Sequence, residues 1–100
     1  MEKKEILSIL KREYAYLHSV YGVRRIALFG SFAANTATEN SDIDLVVELE
    51  HPLGFRFFEL SDYLEKILGR KVDILTSDAV DGIRIKSVAQ DIRKNMFYVQ

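Results

Sequence analysis

Ile6, Leu10, Tyr14, Leu17 and Tyr21 recur at spacings of three and four with charged residues between them, the pattern of an amphipathic helix that Gly22 closes. Ile26-Ala27-Leu28-Phe29-Gly30 is a short continuous apolar run, as expected of a strand covered on both sides or at a sheet centre, and it leads into a Gly-Ser turn. From Ile43 the chain alternates, with Ile43, Leu45, Val47 and Leu49 on one face and Asp44, Val46, Glu48 and Glu50 on the other, which predicts a second strand. His51-Pro52-Leu53-Gly54 breaks it, and Phe57, Leu60, Leu64, Ile67 and Leu68 mark a second helix stopped by Gly69. Lys71 to Leu75 reads as a third strand. Ser77 or Asp78 is placed to cap a last helix carrying Ile85, Val88, Ala89 and Ile92, and Met96-Phe97-Tyr98-Val99 suits an edge strand.

The order is helix, strand, short turn, strand, helix, strand, helix, strand. It predicts an α/β (α+β) fold: a small mixed sheet with helices packed on the face that Ile43, Leu45 and Val47 supply. The opposite face is expected to stay open. With 100 residues and 48% hydrophobic content, the chain suits one compact core, so a single domain over 1–100 is expected.

Composition narrows the chemistry. There is no cysteine and only two histidines, so disulfides and thiolate zinc sites are excluded and any metal is expected to be oxygen-bound. A formal net charge of −1 argues against direct nucleic-acid binding, which normally needs a basic excess. The first residues alternate in charge without the apolar run of a signal peptide or a membrane span, so a cytoplasmic protein with no membrane partner is expected. His18 and His51 have no partner spacing that suggests a site, and the tyrosines with Phe55, Phe57 and Phe58 read as core and rim.

The candidate site lies on the polar face. Asp42 and Asp44 are one residue apart at the start of a strand, so their side chains point the same way, about 7 Å apart along the chain and away from the apolar face. Asp disfavours strands and two like charges repel, an arrangement that a structural role leaves unexplained. Val72 and Ile74 fit the helix-packed face, which puts Asp73 beside the pair if the strands are neighbours. Clustered carboxylates without an adjacent cation suit Mg²⁺, usually shared with substrate phosphates, and a second ion can share the same ligands. Gly30 permits close approach of backbone to a phosphate, and Ser31 offers a hydroxyl and an N–H at a helix start. The plainer accounts are a chance Asp-x-Asp at a strand end and an ordinary strand-to-helix turn with a serine cap.

Gly30-Ser31, ten intervening residues and Asp42-Ile43-Asp44 together resemble the signature of the polymerase-beta-type nucleotidyltransferase superfamily. The likeness continues through Asp42 to Val47, the Pro52-Leu53-Gly54 break and Leu68-Gly69-Arg70-Lys71-Val72-Asp73-Ile74-Leu75-Thr76, and in detail is similar to the minimal nucleotidyltransferase (MNT) proteins. Those are commonly paired with a helical HEPN-domain toxin, for which they act as antitoxin. The resemblance implies the nucleotidyltransferase fold and the transfer of AMP from ATP onto a tyrosine hydroxyl of such a toxin. It assigns Asp42 and Asp44 as the metal pair, Asp73 as the third carboxylate assisting the attacking hydroxyl, and Gly30 and Ser31 as the phosphate-holding turn.

One departure stands out. The family's usual run after Gly-Ser is a bulky residue, Ala, Arg and Gly, whereas this chain has Phe32-Ala33-Ala34-Asn35. Ala34 cannot fork onto phosphate oxygens as arginine does, so either another cation substitutes or activity is weakened. Arg24, Arg25, Arg56, Arg70, Lys71, Arg84 and Lys86 are the candidates. The alternative function is a degenerate member that neutralises its partner by contact alone; transfer to a small molecule such as an aminoglycoside would need an acceptor pocket.

Overall fold

The computed structural model describes residues 1–82 and 96–99. The elements are α1 (Lys3–Tyr21), β1 (Val23–Phe29), α2 (Gly30–Ala33), β2 (Ile43–Leu49), α3 (Arg56–Leu68), β3 (Val72–Thr76), α4 (Ser77–Asp81) and β4 (Phe97–Tyr98). Both long helices end as their sequences require. Gly22 and Gly69 sit at φ 68° and 69°, the left-handed conformation glycine adopts without strain.

The sheet has strand order β3-β2-β1-β4. β2 runs antiparallel to β1 and parallel to β3, and β4 adds an antiparallel edge to β1. The apolar run of β1 is thus an inner strand, as its pattern predicts. It starts earlier than that run, at Val23, because Val23 pairs with Leu49 and the charges of Arg24 and Arg25 are taken up by Glu48, at 3.4 and 4.0 Å.

Ile43, Leu45 and Val47 are fully buried in one cluster with Ile6, Leu10 and Leu17 of α1 and Leu60 and Leu64 of α3. Each such side chain contributes about 1.5–3 kcal/mol relative to exposure. The sheet therefore stacks its apolar face on α1 and α3, and the carboxylate face looks the other way.

That second face is not wholly open, contrary to expectation. Val46, which shares it with Asp44, is buried, as is Val80 of α4; α4 packs against β2 and β3, and neither valine belongs to the main core cluster. A small second apolar patch closes the part of the face beyond Asp44. α4 is capped by Thr76, whose Oγ1 accepts from the N–H of Ala79 at 3.0 Å, rather than by Ser77 or Asp78. The positions proposed to continue this helix, Ile85, Val88, Ala89 and Ile92, lie outside the described residues.

Candidate active site

β2 begins at Ile43, so Asp42 stands just outside the strand and Asp44 is its second residue. In the parallel β2–β3 pair, Asp44 is directly opposite Asp73. Neighbouring strands lie about 4.8 Å apart, so the two carboxylates leave the same face side by side. Asp42 and Asp44 are half-buried and Asp73 is exposed.

Burial pushes the Asp44 carboxyl above the ordinary range, and the charges of Asp73 and then Asp42 push it further the same way. All three influences act in one direction. The ion pairs among the described residues, at Arg12, Arg24, Arg25 and Arg56, include none of the three aspartates. The arrangement is a local excess of negative charge that folding itself assembles.

Gly30 is the residue that makes room for it. Its φ is 73°, and a Cβ there would stand 3.0 Å from Cγ and 3.1 Å from Cβ of Asp44, with a carboxylate oxygen closer still. The sequence suggests a glycine that admits a phosphate; the group standing against it is the Asp44 carboxylate. Ser31 follows in the first turn of α2, whose first residue, Gly30, lies against this carboxylate. Gly30, Ser31, Asp42, Asp44 and Asp73 are therefore brought together by the ends of β1, β2 and β3.

Asn35 occupies the place where the resembling family has glycine. It is the only non-glycine residue with positive φ among the described ones, at 59°. Asparagine tolerates that conformation better than other side chains, so the turn after α2 keeps its path without glycine. Ala34 is exposed and ends α2 at φ −86°, so only its side chain departs from the pattern.

The candidate cations sort themselves. Arg24 and Arg25 are engaged by Glu48, Arg56 donates to the carbonyl of Val20 at 2.9 Å and pairs with Glu59, and Arg70 donates to backbone carbonyls. Lys71 shares a shallow hollow with Asp42. Arg84 and Lys86 lie outside the described residues. Lys3 and Lys4, which local patterning leaves unmarked, line a hollow of about 360 Å³ together with Phe32 and Asn35 of the α2 region. Phe55 and Phe58, read as core or rim, are exposed at 90% and 68%.

Among the described residues, no three His, Asp or Glu side chains form a ready-made metal cage. Mg²⁺ typically takes one or two carboxylates and completes its octahedron with water and substrate phosphate. Asp42, Asp44 and Asp73 offer hard oxygen donors, and none of the three is ion-paired among the described residues.

A sheet carrying in-register aspartates beside a Gly-Ser turn is the framework of a nucleotidyltransferase. The family described as nucleotidyltransferase domain matches residues 3–98. A Methanocaldococcus jannaschii protein designated a candidate protein adenylyltransferase, MJ0128, is 44% identical over 96 residues, 95% of each chain. The protein adenylyltransferase MntA of Thermococcus cleftensis is 37% identical over 90 residues, 89% of this chain and 91% of the relative. A solved structure described as a candidate minimal nucleotidyltransferase superposes with a TM-score of 0.73 at 26% identity, over 97% of this chain and 95% of that one. The fold also matches a structure of a tri-AMPylated Shewanella oneidensis HEPN toxin in complex with MNT antitoxin, with a TM-score of 0.61 at 18% identity over 94% of this chain and 71% of that one. The chain belongs to the nucleotidyltransferase domain family and is a nucleotidyltransferase. Among its described residues, no helix is long and apolar enough to cross a membrane.

Proposed function

We propose that this protein transfers AMP from ATP onto a tyrosine hydroxyl of a HEPN-domain toxin and thereby acts as its antitoxin in the cytoplasm. The observation that carries the reading is the in-register Asp44–Asp73 pair, with Asp42 two residues away and Gly30 backbone packed on Asp44. The designation of its relatives as protein adenylyltransferases and the toxin complex among its fold neighbours support the choice of nucleotide and partner.

In this reading Asp42 and Asp44, with Asp73 beside them, would hold Mg²⁺, one ion or two, whose charge offsets that of the triphosphate. Gly30 and Ser31 bind the outgoing phosphates at the start of α2. Asp73, the exposed carboxylate, orients the acceptor hydroxyl and takes its proton as the oxygen bonds to the α-phosphorus and the bond to pyrophosphate breaks. Positioning and charge neutralisation carry most of the catalysis. The acceptor hydroxyl would be presented to the carboxylate face by the partner toxin. Added phosphate charge near the toxin's active site would repel an RNA backbone and lower toxicity.

The test is the intact mass of a co-expressed HEPN partner, purified with the wild-type protein and with the Asp42→Asn, Asp44→Asn double variant. AMP-sized additions in the first sample only are expected. An unmodified partner that both forms neutralise would leave contact inhibition, the reading that the missing arginine at position 34 favours.

Because Ala34 is exposed and the turn keeps its path through Asn35, restoring the arginine should be tolerated. Ala34→Arg is expected to tighten ATP binding by about 1.5–3 kcal/mol, the usual value of a hydrogen bond to a charged group. Titration calorimetry with Mg²⁺ reads it. No gain would mean that another cation, with Lys3 and Lys4 beside Phe32 and Asn35 and Lys71 beside Asp42 as candidates, already fills the role.

A further inference from the structure

We infer that Arg70 is a positioning residue that holds the three segments of the site in mutual register. It follows Gly69 at the end of α3 and stands two residues before β3, so it belongs to the segment that leads to Asp73. Its Nη2 donates to the carbonyls of Glu39 at 2.7 Å and Ser41 at 2.8 Å, with the carbonyl of Thr38 at 3.4 Å. Those carbonyls belong to the segment that leads into Asp42. Its guanidinium carbon lies 5.2 Å from the ring centroid of Phe32, two residues beyond Gly30. One side chain thus touches the approaches to Asp73, to Asp42 and to the Gly30-Ser31 turn.

The Thr38–Ser41 segment needs such a tie. It folds on itself, Ser41 N–H donating to the Thr38 carbonyl at 3.1 Å and Thr38 N–H to Ser41 Oγ at 2.8 Å. Thr38, Glu39 and Asn40 are exposed, so no apolar burial fixes the turn against the sheet. Hydrogen bonds from a charged donor are stronger than neutral ones, and all three carbonyls converge on one guanidinium nitrogen, Nη2. Beside it, Ile43 N–H donates to the Lys71 carbonyl at 3.0 Å, so the tether acts at the point where β2 and β3 begin to pair. The arrangement leaves Arg70 Nε buried without a partner among the described residues. Arg70 Nη2 is thus engaged by the backbone that leads into Asp42.

The inference rests on the reading of Asp42 and Asp44 as a metal pair, and its test separates the two. Mn²⁺, which takes the same hard oxygen ligands and is visible by electron paramagnetic resonance, is titrated into wild-type protein, Arg70→Ala, Arg70→Lys and Asp44→Asn, at a temperature where circular dichroism reports each as folded. Losing the support of metal ligands typically costs about 10–100-fold in metal affinity. Arg70→Ala is expected to fall in that range, with Arg70→Lys between it and wild type. Amide exchange at Asp42 and Ile43 should rise in the same order. If Arg70→Ala does not fold, Arg70→Lys carries the comparison. Wild-type affinity and exchange in the arginine variants would overturn the positioning role and leave the metal pair standing. Wild-type protein that binds Mn²⁺ no better than Asp44→Asn would overturn the metal pair itself.

Discussion

Asp44→Asn is expected to reduce nucleotide transfer by about a thousandfold or more while raising the melting temperature of the metal-free protein at neutral pH. The first effect follows from removing a ligand whose metal provides several kcal/mol of transition-state stabilisation, since about 1.4 kcal/mol is tenfold in rate. The second follows from burial and two like charges, which raise the folded-state pKa of Asp44. The folded protein then holds this proton more tightly than the unfolded chain does. The resulting stabilisation is fully present below the ordinary carboxylate range and is lost as pH rises through the folded pKa of Asp44. Asparagine keeps the shape without the charge. The advantage of the variant in EDTA should therefore grow with rising pH across that window and vanish at its acid end. Mg²⁺ should stabilise the wild type and leave the variant unmoved. Thermal melts over a pH series, with EDTA and with Mg²⁺, read all three effects; a lower melting temperature for the variant at neutral pH in EDTA would make Asp44 a structural residue.

Gly30→Ala should cost about 2–4 kcal/mol, combining a non-glycine residue forced to positive φ with overpacking. The backbone part arises from φ 73°, and the packing part from a methyl group driven against the Asp44 side chain. The two parts separate in a double-mutant cycle. In an Asp44→Gly background the carboxylate and the Cβ it hangs from are both gone, so the penalty should shrink toward the backbone part of about 1–2 kcal/mol. An unchanged penalty in both backgrounds, measured by urea denaturation, would show that conformation alone selects glycine here and that its contact with Asp44 is incidental.

Arg70 and Asn35 illustrate what local pattern conceals. Arg70 reads as one of several surface cations, because its acceptors lie 29 to 32 residues away in sequence. Asn35 reads as a departure from the family turn until its φ of 59° shows it doing the work of glycine. The covered part of the carboxylate face was hidden for a similar reason: Val46 sits among Asp44 and Glu48 in an alternating strand, and what buries it arrives with α4, after β3.

What the sequence determined by itself is the long helices α1 and α3, the strands β1, β2 and β3, and the face on which each functional side chain would lie. Periods of two and of about 3.6 are local consequences of backbone geometry, so Ile43, Leu45 and Val47 declare the buried side and Asp44 the other without any knowledge of neighbours. The Gly30-Ser31 and Asp42-Asp44 spacing likewise marked the family. Only the tertiary structure decided that β2 and β3 are parallel with Asp44 opposite Asp73, that Asp44 backs onto Gly30, and that Arg70 ties the three approaches together. Register and tethering depend on hydrogen bonds between segments far apart in the chain, and the strength of the carboxylate cluster depends on burial and mutual distance. Those quantities exist only once the sheet has formed.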